Sequence, residues 1–255
     1  MKAAIIAIGD ELLIGQVINT NSAWLATQLT ELGFSISSHI SISDKEAEIR
    51  KALDYHLESN SLLIFTGGLG PTNDDITKKV LSDYFNTELI LSDEILRDVE
   101  TRISSFGASM NDKNREQAMI PRAAKILRNN HGTAPGMWFE KNKKIVISLP
   151  GVPREMKGIY SDYIIPELKN HFKLPQITYK TIMLTGIAEA HLAEKLESWE
   201  TGLPSGMSLA YLPSPEAMRL RLGYISECKD SGEALLEKEI KKLNDIVPQF
   251  IYGYE

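Results

Sequence analysis

The sequence predicts a doubly wound α/β fold with a mostly parallel sheet, followed by a second, smaller α+β domain. Three observations carry that expectation. A short apolar run, residues 3–8, is closed by Gly9, as a strand buried on both faces would be. Strand-like and helix-like segments then alternate through Phe65, an order that implies parallel pairing with crossover connections. Beyond Lys173-Leu174-Pro175 the order changes, so residues 1–173 and 174–255 read as separate domains.

The elements follow in chain order. After the first strand, Asn21 is placed to cap a helix whose Trp24, Leu25, Leu29 and Leu32 recur at helical spacing, and Gly33 supplies its left-handed end. Residues 34–42 alternate like a strand. Ser43-Asp44-Lys45-Glu46 has capping-box spacing and opens a helix running to His56. A third strand is expected over 62–65, then helices over 72–84 and 92–105. Residues 136–149 read as two strands about a turn, and Pro153 starts a helix toward Phe172 that Pro166 kinks. In the second domain, strands are expected over 176–184, 207–211 and 217–224, with helices over 188–199 and 231–246. No internal repeat is present.

Composition narrows the function. With 43% hydrophobic and 24% charged residues, the 255-residue chain is an ordinary globular protein. Its net charge of -6 disfavours a nucleic-acid partner. The basic cluster from Lys141 to Lys144, interrupted by Asn142, reads as a solvated hairpin turn. A lone cysteine, Cys228, excludes an intrachain disulfide and any Cys-x-x-Cys site, which fits a reducing, cytoplasmic setting. The opening apolar run is too short for a signal peptide or membrane span, so no membrane partner is expected. Dispersed histidines argue against zinc, and no Gly-x-Ser-x-Gly elbow occurs. Trp24, Trp138 and Trp199 are expected in the core rather than as stacking platforms.

Three segments sit where strands end, the rim at which open α/β sheets bind ligands. Residues 9–21 begin Gly9-Asp10-Glu11, whose acids either hold Mg²⁺ or a ribose hydroxyl or are plain loop acids. Residues 66–77, TGGLGPTNDDIT, bring Gly67, Gly68 and Gly70 ahead of a helix start, where the main chain approaches a phosphate closely. Thr72 and Asp75 also have capping-box spacing, so Asp75 is either a ligand acid or a helix cap, and adjacent Asp74 projects in another direction. In residues 149–156, Pro150-Gly151-Val152-Pro153 is a stiff turn that either closes over a ligand or forms a strand-to-helix corner. Arg154 beyond it is positioned to meet an anion.

Taken together, GDELLIGQVINTN, TGGLGPTNDDIT, NREQAMIP, GTAPG and LPGVPREM resemble the amino-terminal part of the competence/damage-inducible CinA family. The tail from Gln176 resembles that family's KH-like module, though it lacks the Gly-x-x-Gly loop that grips a nucleic-acid backbone. The resemblance implies a molybdopterin-binding type of fold and metal-dependent hydrolysis of ADP-ribose to AMP and ribose 5-phosphate. It also implies Asp10 and Asp75 as rim acids, Gly67, Gly68 and Gly70 as the phosphate-side loop, and self-association, expected as a homodimer. Many members continue into a domain that deamidates nicotinamide mononucleotide. This sequence stops at Glu255 without a segment matching it, so that activity is not carried over.

The working expectation is therefore a nucleotide-like ligand held by a metal-dependent pyrophosphate hydrolase. Asp10, Asp75 and Glu11 would serve as its acids, with Mg²⁺ or another divalent cation on Asp10 and Asp75. Gly9, Asn21, Gly67, Gly68, Gly70, Thr72, Asn73, Asp74, Thr77, Gly132, Pro150, Gly151, Pro153 and Arg154 are the expected ligand-binding positions. The alternatives are a molybdopterin-binding enzyme of molybdenum cofactor biosynthesis and a non-catalytic, nucleotide-responsive interaction module.

Overall fold

The computed structural model describes residues 1–72, 74–214, 217–226 and 229–255, and of 229–231 the backbone alone. Asn73 and Cys228 lie outside the described residues. Contacts divide the chain into one unit of residues 1–30 with 34–173 and another of 31–33 with 174–255.

The larger unit opens with β1 (Lys2–Ile8), α1 (Asp10–Leu13), α2 (Thr20–Glu31), β2 (Ser35–Ile42), α3 (Glu46–Ser59) and β3 (Leu62–Thr66). Next come α4 (Thr77–Tyr84), β4 (Leu89–Leu91), α5 (Asp93–Ser105), α6 (Asp112–Gln117), β5 (Met119–Pro121) and β6 (Lys125–Leu127). It closes with β7 (Gly136–Lys141), β8 (Lys144–Leu149), α7 (Pro153–Ile159), a π-helical turn over Tyr160–Ile164, and α8 (Ile165–His171).

Among the described residues the main sheet has strand order β2-β1-β3-β8-β7-β6. β2, β1, β3 and β8 run parallel, while β7 and β6 are antiparallel additions. The chain leaves β1 for β2 on one side and returns to pair β3 on the other. That reversal opens a crevice at the carboxyl ends of β1 and β3, the place where such sheets accept ligands.

β1 is buried on both faces because its side chains alternate between two layers of helix. Ala4, Ile6 and Ile8 pack with Ile49 and Leu53 of α3 and Val80 and Leu81 of α4. Ile5 faces the other way and is equally buried, as are Leu25 and Leu29 of α2 and Met156 and Ile159 of α7. Each such side chain contributes roughly 1.5–3 kcal/mol, which makes β1 a rigid base for the residues that follow it.

Several local expectations are corrected. Asn21 does not cap α2. The Asn19 side chain accepts from the Ser22 N–H at 3.0 Å instead, and Asn21 lies one residue inside the helix. The Ser43–Glu46 box does not form, since α3 starts at Glu46 without a side-chain cap and Asp44 bonds elsewhere. α4 begins at Thr77 rather than Thr72, because the Asp75 N–H bonds back to Thr72 O at 3.1 Å outside the helix. The NREQAMIP stretch begins inside α6, which has an Asn111–Asn114 capping box. α4 and α6, with α1, β4, β5 and β6, are shorter than the window over which periodicity is resolved.

Other expectations hold. Asn142 and Lys143 have φ of 54° and 63°, the paired left-handed residues of a two-residue hairpin turn between β7 and β8. The helix toward Phe172 does change geometry near Pro166. A π turn precedes it, which suits a residue with no N–H to donate. Trp138 and Trp199 are buried, and Trp24 is half-buried, edge-on to Tyr160.

The second unit contains β9 (Gln176–Leu184), α9 (Glu189–Thr201), β10 (Met207–Pro213), β11 (Met218–Ser226), α10 (Lys229–Ile246) and β12 (Ile251–Tyr254). Its antiparallel sheet has order β10-β11-β9-β12, over a core that includes Leu192, Leu196, Leu220, Leu222 and Leu243. β12 was not foreseen from the sequence. Among the described residues no helix is long and apolar enough to cross a membrane.

Candidate functional site

The crevice is built where β1, β2, β3 and β8 end. The Gly9 N–H donates to Ile42 O at 3.1 Å, tying the ends of β1 and β2 together. Asp10 and Glu11 then open α1, and the Asp10 N–H donates to the Asp44 carboxylate at 3.0 Å. Burial raises the Asp44 carboxyl above its ordinary range; the Asp10 N–H opposes the rise, and the charges of Glu11, Asp10 and Asp74 add to it. Acids from three strand ends therefore act on one another.

On the opposite wall, the Asn21 amide nitrogen donates to Gly151 O at 2.7 Å and to the Thr66 hydroxyl at 3.2 Å. Thr66 passes the link on, donating to Pro150 O at 3.0 Å. This chain holds α2, β3 and the turn after β8 in one arrangement. The Asn21 Oδ1 is buried and has no partner among the described residues, leaving an acceptor for a ligand donor. The cleft between the two walls, of about 110 Å³, is lined by Glu11, Ile18, Asn21, Thr66, Gly151 and Pro153, among others. Ligand pockets commonly span roughly 300–1,000 Å³, so this cleft has room for only part of a ligand of ordinary size.

The glycine loop runs out from β3 between these walls. Gly67 and Gly68 have φ of 110° and 66°, and a Cβ at either would collide with Ile8 O or the Thr77 hydroxyl. Thr77, buried at the start of α4, donates its N–H to Gly68 O at 3.2 Å and its hydroxyl to Gly67 O at 3.3 Å. The loop carbonyls are thus committed to α4. Among the described residues, no group accepts from the N–H groups of Gly68, Leu69 or Gly70, an arrangement suited to an anion.

Asp75 stands beyond that loop. Its carboxylate accepts from the Thr72 N–H at 2.9 Å and from the Thr72 hydroxyl, so it closes a turn and does not cap a helix. It lines a second cavity, of about 200 Å³, with Gly70, Lys78 and Gln117, and this cavity shares no lining residue with the first. Of the two adjacent acids, exposed Asp74 is the one whose charge reaches Asp44. Burial pushes the Lys78 ammonium down to about 8, with Glu116 opposing, and its Nζ donates to Glu116 O at 2.6 Å.

The remaining positions divide. Pro150, Gly151 and Pro153 belong to the first wall, and Arg154 is exposed at the first turn of α7. Gly132 lies at a different cavity, with Asp98, Arg102 and Asn129, packed against Glu155. Asn73 lies outside the described residues. Sequence reasoning gave no role to Asp44, Thr66, Lys78 or Gln117. Asp44 had a usable signal, since it follows the end of β2 as Asp10 follows β1.

Among the described residues, no three His, Cys, Asp or Glu side chains converge as a cage for a metal. Mg²⁺ does not need one, because it keeps waters and takes one or two carboxylates beside substrate phosphates. Asp10 with Asp44 or Glu11, next to the Gly68–Gly70 N–H groups, fits that requirement, whereas Asp75, expected to share the cation with Asp10, lines the other cavity.

Two family models match the chain. One described as "Probable molybdopterin binding domain" covers residues 4–170, and one described as "Damage-inducible protein CinA KH domain" covers residues 179–253. The CinA-like protein of Cytophaga hutchinsonii is 44% identical over 253 residues, covering 99% of this chain and 60% of that protein. The CinA-like protein of Flavobacterium psychrophilum is 41% identical over 256 residues, covering 100% of this chain and 61% of that protein. The crystal structure of the protein CinA from Thermoplasma acidophilum is 30% identical with a TM-score of 0.59, covering 67% of this chain and 98% of that one. The chain thus spans about 60% of the length of those curated relatives.

Proposed function

The chain belongs to the CinA family, and on that premise we propose that its larger unit is a metal-dependent hydrolase of a nucleoside diphosphate-linked sugar, with ADP-ribose as substrate. The observation that carries this reading is the pairing of mutually repelling acids, Asp10, Glu11 and Asp44, with unclaimed N–H groups at Gly68 to Gly70. Acids alone repel a diphosphate, and a divalent cation between the two resolves the conflict.

In the reaction, water adds to one phosphorus of the pyrophosphate and the bridging P–O bond breaks. One water is consumed, and AMP and ribose 5-phosphate leave with its hydroxyl and proton shared between them. Mg²⁺, when bound, polarises the phosphoryl group and lowers the pKa of its water. Asp10 with Glu11 or Asp44 would hold it. The Gly68–Gly70 N–H groups take the charge that builds on the phosphoryl oxygens, and Asn21 orients the end of the ligand in the first cavity. Asp75, steadied by Thr72, would lie on the sugar side of the bond that breaks.

Asp75→Asn is expected to abolish AMP release from ADP-ribose in Mg²⁺ while leaving the thermal midpoint in place. Equal turnover in both proteins would refute the assignment. The match to a molybdopterin-binding domain supports a second reading, in which the same crevice binds molybdopterin. Thermal shifts with ADP-ribose and with molybdopterin separate the two, because only a ligand of the folded state raises the midpoint. Tight binding of ADP-ribose without turnover would favour a non-catalytic module.

The protein is further proposed to act in the cytoplasm as a homodimer. Exposed apolar side chains at Leu13, Ile14, Val17 and Ile18 support self-association. A monomer by light scattering would remove that part.

A further inference from the structure

The second cavity has features that the pyrophosphate chemistry leaves unused. Gln117 is 3% exposed, lines this cavity, and among the described residues has no hydrogen-bond partner for either its amide oxygen or its amide nitrogen. A buried amide left empty on both sides costs stability, so its presence points to a ligand that supplies a donor and an acceptor together. Around it stand Asp75 and Glu116, two acids, with Lys78 and Lys113, two bases. Their formal charges cancel. A phosphate here would face both carboxylates, whereas a neutral polyol meets every group, its hydroxyls donating to carboxylate and amide oxygens and accepting from ammonium and amide N–H.

We infer that this cavity, lined by Gly70, Thr72 and Asp75 with α4, α6 and the β4–β5 pair, is a sugar subsite in which Gln117 and Lys78 recognise the hydroxyls of the ligand's terminal pentose. The inference rests on the nucleoside diphosphate-sugar reading above and names the residues that set its sugar specificity. Its volume of about 200 Å³ suits a single ring. The Gly67–Gly70 loop between the two cavities supplies the phosphate seat that would join the two ends. Lys78 has donor capacity to spare, since only one of its three N–H groups is needed for the bond to Glu116 O. Its low proton affinity is what burial in such a cleft produces.

The test compares ADP-ribose with ADP, which lacks the terminal pentose, by calorimetric titration of the whole chain in a divalent cation that does not support turnover, Ca²⁺ in place of Mg²⁺. Wild type is expected to prefer ADP-ribose. Gln117→Leu and Lys78→Met are each expected to weaken ADP-ribose binding about tenfold, the worth of one to two hydrogen bonds, with ADP affinity unchanged. Gln117→Leu should also raise the melting midpoint of the unliganded protein, because an apolar side chain replaces two stranded polar atoms. A normal or raised midpoint therefore certifies the fold of that variant. Preference retained in both variants overturns the subsite, as does wild type binding the two ligands equally. Equal losses for ADP and ADP-ribose would assign the cavity to phosphate and overturn it too. Wild type binding neither ligand sinks the hydrolase reading itself, and the subsite with it.

Discussion

Asp75 and Thr72 hold each other across one turn of loop: the Thr72 N–H and hydroxyl both donate to the same carboxylate oxygen, Oδ2, and Oδ1 takes part in neither bond. The acid is therefore fixed in place ahead of α4 rather than waiting to be ordered by a ligand. Thr72→Ala keeps the charge and loses the hydroxyl. It is expected to lower kcat/KM for ADP-ribose about tenfold, a much smaller loss than Asp75→Asn brings. Steady-state kinetics on both variants would show the reverse order if Thr72, not Asp75, carried the chemistry.

The glycines of the same loop separate backbone strain from site geometry. At Gly67 the φ is left-handed and the atom in the way is the Ile8 carbonyl, so Gly67→Ala is expected to destabilise by about 2–4 kcal/mol. At Gly70 an added Cβ would sit 2.6 Å from the Asp75 carboxylate, a side-chain end that yields by giving up its Thr72 bonds, where a backbone carbonyl cannot yield. Gly70→Ala should keep most of the stability and lose most of the turnover. Urea unfolding beside AMP release measures both, and a midpoint loss at Gly70 equal to that at Gly67 would count against this division.

Lys78 sets a pH dependence of stability. Its folded pKa of about 8 lies below the unfolded value of 10.5, so the unfolded chain holds the extra proton between those limits and stability rises with pH there. Below about 8 both states are protonated, and the burial penalty, on the order of 3 kcal/mol, is fully present. Lys78→Met should therefore exceed wild type in stability at pH 7, with the gap closing toward pH 10. Urea titrations across that range giving a constant gap would show that the ammonium is not desolvated as described.

Asp44 gives the opposite case. Its folded pKa is raised above 3.8, so the stability it allows in acid is lost as pH climbs past that value. Asp44→Asn keeps an oxygen for the Asp10 N–H and removes a charge from among Glu11, Asp10 and Asp74. At pH 7 in chelator, the variant is expected to melt higher than wild type. Adding Mg²⁺ should raise the wild-type midpoint by several degrees and the variant's by less. Equal magnesium shifts would place the cation elsewhere.

The buried strands, the longer helices, the β7–β8 hairpin and the change of architecture beyond Pro175 were legible in the sequence. Each rests on a local regularity, such as the unbroken apolar run of β1 or the paired turn residues Asn142 and Lys143. The five motif blocks identified the family, and the rim of the sheet followed from element order alone. Asn21 shows where local reading ends. Its position suggested a cap, but its partners are Thr66 and Gly151, which the chain brings near only after β3 and β8 are paired.

Cavities and charge neighbourhoods belong wholly to that second level. That Asp44 shares a field with Asp10, or that Asp75 faces Lys78 and Gln117 instead of the first cavity, depends on which strand ends and short helices lie side by side. Spacing along the chain carries propensity and periodicity, which are properties of neighbours in sequence. Desolvation, hydrogen-bond satisfaction and electrostatic coupling depend on distance through space, and the packing of this sheet with its helices decided them.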